Sequence, residues 1–215
     1  MARNETLMLM SLPELHEKYG MKIESILHVG AHLAEEASLY DSLNVGKVWW
    51  IEGNPQVIPK IKRNLKPYNK QIIIEALVYS TKNVELDFNI TNYDGMSSSI
   101  LEFGTHPTFS PDTIFVDKIK KLSTTIDDLV AENSIEANFL NMDLQGAELH
   151  ALQGATNYLE TVDYIITEVN NKEVYVNCAK VDQLDKFLKD FRRVETFWVK
   201  NQGWGDACYV RKDLL

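Results

Sequence analysis

Four residues of this 215-residue chain could do chemistry together, because each closes a short apolar run: Gly30 after 26–29, Glu52 after 47–51, Asp143 after 138–142 and Glu168 after 164–167. A glycine at a strand-to-helix turn lets a ligand approach the backbone, and the helix behind it offers N–H groups. Glu52 follows Gly30 by 22 positions. A carboxylate so placed can accept hydrogen bonds from both ribose hydroxyls of an adenosine cofactor. The segments around these two residues, Gly30 with Ala31 and His32, and Glu52 with Gly53 and Asn54, form the expected cofactor site. The plainer readings are a simple turn at Gly30 and, at Glu52, a carboxylate favoured by the dipole of the next helix.

Such residues need elements to hold them. A short amphipathic helix is expected over 12–19, ended by Gly20, and a first buried strand over 26–29. Helical spacing over 34–43 leads to the strand 47–51, whose Trp49 and Trp50 should point to opposite faces. A second helix over 57–65, begun near Pro55, leads to a strand over 71–78. Residues 84–90 read as a half-exposed strand and 92–99 as a loop. A strand over 113–122 is followed by Thr124 capping a helix near Ile126, then the strand 138–142 and a helix over 147–153. The strand 164–167, a helix over 181–191 and an antiparallel hairpin of 194–199 with 207–210 complete the pattern. The fold class is therefore α/β: a mainly parallel sheet with helices on both faces, its ligands beyond the carboxyl ends of the strands. One domain over 1–215 is expected, with 1–24 as an N-terminal helical extension.

Composition narrows the function. The net charge is −9, and no Lys/Arg cluster is dense enough for a nucleic-acid footprint. Two cysteines, Cys178 and Cys208, support neither a disulfide framework nor a multi-ligand zinc site, so a reducing, cytoplasmic location is expected. The apolar run 7–12 is too short to span a membrane, and the sequence shows no signal peptide.

The cofactor turn lacks the second and third glycines that a dinucleotide's pyrophosphate requires, and no P-loop is present. S-adenosylmethionine carries no phosphate and tolerates this turn. In HVGAH (28–32), WIEGNP (50–55), SSSIL (97–101), TTIDDL (124–129), NMDLQGAELHALQGA (141–155) and WGDACYV (204–210), the chain resembles the FkbM family of methyltransferases. That resemblance implies a single-domain, Rossmann-like class I methyltransferase fold with a seven-stranded sheet and an antiparallel C-terminal hairpin. It also implies methyl transfer to a hydroxyl, often on a sugar or glycan; a glycosyltransferase that supplies the acceptor is a candidate partner. Gln145 stands where family members commonly carry Glu. The rival readings are a nicotinamide-dependent oxidoreductase and a non-catalytic cofactor-binding module.

Methyl transfer to an alcohol needs alignment and either a general base or a cation at the developing alkoxide. Asp143 and Glu168 are carboxylate candidates. With Asn170 they could instead converge on magnesium, or hold the cofactor's amino group. His32 and His106 are the histidine candidates. Ser97, Ser98 and Ser99 could bind the acceptor's hydroxyls, and Trp204 could stack on a sugar ring or pack the hairpin.

Overall fold

The computed structural model describes residues 8–215. The first seven residues of the expected extension, Leu7 of the apolar run among them, lie outside it. Along the chain come α1 (Leu12–Tyr19), β1 (Ile26–Val29), α2 (Ala37–Ser42), β2 (Val48–Glu52), α3 (Ile58–Asn64), β3 (Gln71–Glu75), β4 (Leu77–Val78) and β5 (Glu85–Thr91). After α4 (Asn92–Gly95), a single irregular turn, follow β6 (Phe115–Thr124), α5 (Ile126–Asn133), β7 (Phe139–Met142) and α6 (Glu148–Gln153). The last elements are β8 (Tyr164–Asn170), α7 (Val181–Phe187), β9 (Phe191–Trp198) and β10 (Trp204–Arg211).

Seven strands form the main sheet in the order β3-β2-β1-β7-β8-β10-β9. β3, β2, β1, β7 and β8 run parallel, and β10 is antiparallel to both of its neighbours. β1, β2 and β7 are buried along their whole length, as sheet strands covered on both faces must be. Trp49 joins the apolar layer of α5, α6 and α7, and Trp50 joins the layer of α1, α2 and α3, as alternation requires. Between β1 and β7 the strand order reverses, which opens a crevice at their carboxyl ends.

The structure departs from the sequence reading in several places. Residues 71–78 are two strands rather than one: β4 leaves the main sheet at Ala76 and pairs with β6 in a second sheet of order β4-β6-β5. The break is held by Ala76 N–H donating to the Glu52 carbonyl at 2.9 Å. The cap of α5 is Thr125, not Thr124: its hydroxyl accepts from Asp128 N–H at 3.0 Å. α2 begins at Ala37 because His32 and Ala34 hold left-handed backbone, with φ of 44° and 59°. α7 ends at Phe187, and the hairpin strands extend outward to include Phe191 and Trp204. β8 continues to Asn170, so Glu168 lies inside a strand and not at its end.

Candidate functional site

The crevice is lined by the loop after β1 (Gly30–His32), the end of β2 (Glu52–Asn54), the loop after β7 (Asp143–Gln145), Glu168 of β8 and Asp206 of β10. Gly30 has φ +93°, and a Cβ there would lie 1.8 Å from the Asp143 carbonyl oxygen. The glycine is thus required by the close passage of β1 and β7. The N–H groups of Gly30 and Ala31 both donate to the Ile51 carbonyl, at 2.9 and 3.0 Å, and so are not free for a ligand. His32 N–H donates to Glu52 Oε2 at 2.9 Å, and Asn54 N–H to Glu52 Oε1 at 2.7 Å. These bonds fix the Glu52 carboxylate while leaving lone pairs on both oxygens. Burial raises the pKa of Glu52, and the bonds from Asn54 and His32 oppose the rise.

Below the crevice lies a buried polar layer. His28 stacks on Trp50 at 4.5 Å and shares a hydrogen bond with Tyr40, whose hydroxyl accepts from Asn141 at 2.7 Å. Burial pushes the His28 imidazole down to about 3, so it is neutral. Trp50 Nε1–H donates to Gln71, and Gln71 in turn donates to the Ala37 carbonyl. This chain of satisfied groups stiffens the strand ends under the site.

The carboxylates come together around one amide. Gln145, at φ +53°, donates through Nε2 to Asp143 Oδ1 at 2.6 Å and to Glu168 Oε2 at 3.1 Å, while its Oε1 accepts from the Tyr175 hydroxyl. Burial raises Asp143, and the Gln145 bond opposes this. Burial, then the charges of Asp143, Glu148 and Asp206, push Glu168 well above the usual carboxylate range. Glu148 accepts from Leu144 and Gly146 N–H ahead of α6, and burial raises it to about 7. Asp206, paired in register with Glu168, is also raised by burial to about 7. None of the described residues lining the crevice is Lys or Arg.

Asp143, Glu168 and Asn170, the residues expected to converge on a cation, are joined here by amide groups. The Gln145 amide occupies the place between the two carboxylates, and Asn170 turns its Nδ2 toward Glu168 at 3.3 Å. Among the described residues no three His, Cys, Asp or Glu side chains are grouped to hold a metal.

The remaining sequence candidates are dispersed. His32 lines the crevice and bonds Glu35 at 2.6 Å through Nδ1; burial lowers its pKa, but the Glu35 bond and nearby carboxylates outweigh burial and raise it overall. His106 is away from the crevice, stacked on Phe103 at 4.4 Å beside Phe109 and Tyr175, and burial lowers its pKa. Ser98 and Ser99 line the crevice but spend their hydroxyls on structure: Ser98 accepts from Thr91 N–H, and Ser99 donates to the Gln145 carbonyl. Ser97 lies outside the lining. Trp204 packs on the cluster of Val174, Tyr175 and Cys178 and donates to Gln202, which makes it a packing residue of the hairpin.

Sequence reasoning missed Met8, Glu36 and Asp206, all of which line the crevice, and it missed the bridging role of Gln145. Asp206 is the one with a visible signal, since an acid inside the apolar strand ACYV that follows it breaks the burial pattern.

The fold is shared with solved structures. Fibrillarin of Aeropyrum pernix, with natively bound S-adenosyl-L-methionine, superposes with a TM-score of 0.52 at 11% identity over 87% of this chain and 66% of that one. The N-methyltransferase NodS of Bradyrhizobium japonicum WM9, in complex with S-adenosyl-L-homocysteine, gives 0.50 at 8% identity over 93% and 87%. Fold and family model together define an S-adenosylmethionine-dependent methyltransferase. The model of the methyltransferase FkbM domain matches residues 28–197, and the chain belongs to that family. It is also 24% identical over 180 residues, 80% of this chain and 74% of the relative, to the 2-O-methyltransferase NoeI of Sinorhizobium fredii (strain NBRC 101917 / NGR234). Among the described residues no helix is long and apolar enough to cross a membrane.

Proposed function

We propose that the protein transfers the methyl group of S-adenosylmethionine to a hydroxyl of an uncharged sugar or glycan without a metal ion, with Glu168 as the general base once the positive charge of the donor lowers its raised pKa. The observation that carries this reading is the buried Asp143–Gln145–Glu168 bridge at the carboxyl ends of β7 and β8. Glu52 would accept hydrogen bonds from the ribose hydroxyls, Gly53 and Asn54 would border the adenosine, and the loop Gly30–His32 the methionine end. Asp143 would offer its carboxylate to the positive charge of the methyl donor.

The acceptor oxygen attacks the methyl carbon in line with the breaking C–S bond. The bond pair stays on sulfur, leaving neutral S-adenosylhomocysteine, and the hydroxyl proton passes to Glu168. The absence of Lys and Arg from the described lining disfavours phosphorylated or carboxylated acceptors, which would meet buried carboxylates without compensation. The name of the relative, a 2-O-methyltransferase, supports an oxygen acceptor. A glycosyltransferase that builds the acceptor is the partner this reading implies.

Glu168→Gln tests the role of the base. Loss of a general base lowers kcat by about 10²–10⁴, here with unchanged affinity for S-adenosylhomocysteine by calorimetry. Full turnover in that variant sinks the assignment. Turnover abolished by exhaustive chelation and restored by magnesium sinks the metal-free mechanism.

A further inference from the structure

The match to the family model starts at residue 28, two residues into β1, and the segment before β1 packs against the sheet. α1 is firmly docked: Leu12 and Leu15 are buried in the layer that holds Tyr40 and Trp50. At its other end Lys18 and Tyr19 both bond Glu195 of β9. Ser11 caps α1, its hydroxyl accepting from Glu14 N–H, and residues 8–10 lie before it. These three residues join no strand ladder. They run instead to the crevice, where Met8 lines the wall together with His28, Glu36 and Asp206. Leu9 N–H donates to Asp206 Oδ2 at 2.8 Å, the Tyr40 hydroxyl meets the Met8 sulfur at 3.9 Å, and Met8 and Met10, both partly buried, pack against the layer that holds Tyr40 and Trp50.

We propose that residues 8–10 are a strap that closes the methyl-donor pocket, latched by the Leu9 N–H to the Asp206 carboxylate and opened for entry and exit of the donor. The latch joins the segment before α1 to the strand paired with Glu168, so closing the strap and completing the wall are one event. Residues 8–10 pair with no strand, and Met8, Leu9 and Met10 are only partly buried, so the segment can lift from the crevice without breaking a ladder of the sheet. Its apolar Met8 excludes water from the methionine side of the donor when closed. The inference rests on the crevice being the donor pocket.

The test is the release rate of S-adenosylhomocysteine, by stopped-flow chase with excess S-adenosylmethionine, from wild type, Leu9→Pro, Leu9→Ala and a variant lacking residues 1–10. Leu9→Pro removes the N–H and leaves Asp206 untouched, while Leu9→Ala keeps it. The loss of a bond to a charged group is expected to speed release about ten-fold or more in Leu9→Pro and in the deletion. Leu9→Ala should stay within about two-fold of wild type, and circular dichroism melting should show Leu9→Pro folded as wild type. Wild-type release from Leu9→Pro and the deletion alike overturns the strap, and so does equal acceleration in Leu9→Ala, which would assign the effect to side-chain packing. Failure of the wild-type protein to bind either nucleoside overturns the donor pocket itself, a separate result visible before any variant is made.

Discussion

At the scale of single residues the site is a collection of carboxylates whose described lining includes no Lys or Arg, and its behaviour follows from that. Glu52 is fixed by two backbone N–H groups. Glu52→Ala should weaken S-adenosylhomocysteine binding by about 1.5–3 kcal/mol, the worth of hydrogen bonds to a charged group, as read by calorimetry; unchanged affinity would remove Glu52 from the ribose site. Glu148 and Asp206 both titrate near 7 in the fold, while their ordinary values lie near 4. The native state therefore holds protons that the unfolded chain has released. Stability from this source is full below pH 4 or so and is lost as pH rises through about 7. The melting temperature of the free protein should fall between pH 5 and pH 8, the two carboxyls outweighing His28, whose low pKa acts in the opposite direction below about pH 6.5. The cationic methyl donor should raise it more at pH 8 than at pH 5, and equal increments by differential scanning fluorimetry would contradict this account. Gln145→Glu places a third carboxylate where an amide now bridges two. That variant should melt lower than wild type at pH 8 and regain stability in millimolar magnesium, to which wild type is indifferent.

Elements come together at the site because of backbone demands that only some residues can meet. Gly30→Ala forces a Cβ to within 1.8 Å of the Asp143 carbonyl at a φ of +93°. It should cost at least about 2 kcal/mol, since the left-handed strain alone is about 1–2 kcal/mol, and chemical denaturation would measure the loss. The parallel strands were legible in the sequence because a short strand buried on both faces is an unbroken apolar run, as in ILHV and FLNM. The residues after those runs, Gly30, Glu52 and Asp143, were legible as site positions for the same reason. Glu168 misleads: an acid reads as a strand end, yet Gln145 and Asn170 satisfy it inside β8. The division of 71–78 between two sheets has no local signature, because a change of distant partner makes it: β3 pairs with β2, and β4 with β6. The strap was equally hidden, since only Asp206, nearly two hundred residues away, shows where Leu9 goes.

For the whole molecule the net charge of −9 and the cation-free crevice act in the same direction. Affinity for cationic S-adenosylmethionine should decline as salt is raised from 50 to 500 mM, while affinity for neutral S-adenosylhomocysteine should change little, because screening acts on the charged ligand. Parallel slopes in calorimetric titrations would show that the field of the protein is not involved. We propose that the described chain unfolds as one unit, since apolar layers cover both faces of one sheet. The position of β10 between β8 and β9 has a consequence for biogenesis. During synthesis β9 emerges from the ribosome first and has no neighbour in the sheet until β10 has been made. The nascent chain therefore carries an unpaired edge at β8 and a wall without Asp206 until translation has passed residue 211. A stalled ribosome would leave a product that chaperones and proteases can recognise, and no pocket able to sequester the cell's methyl donor.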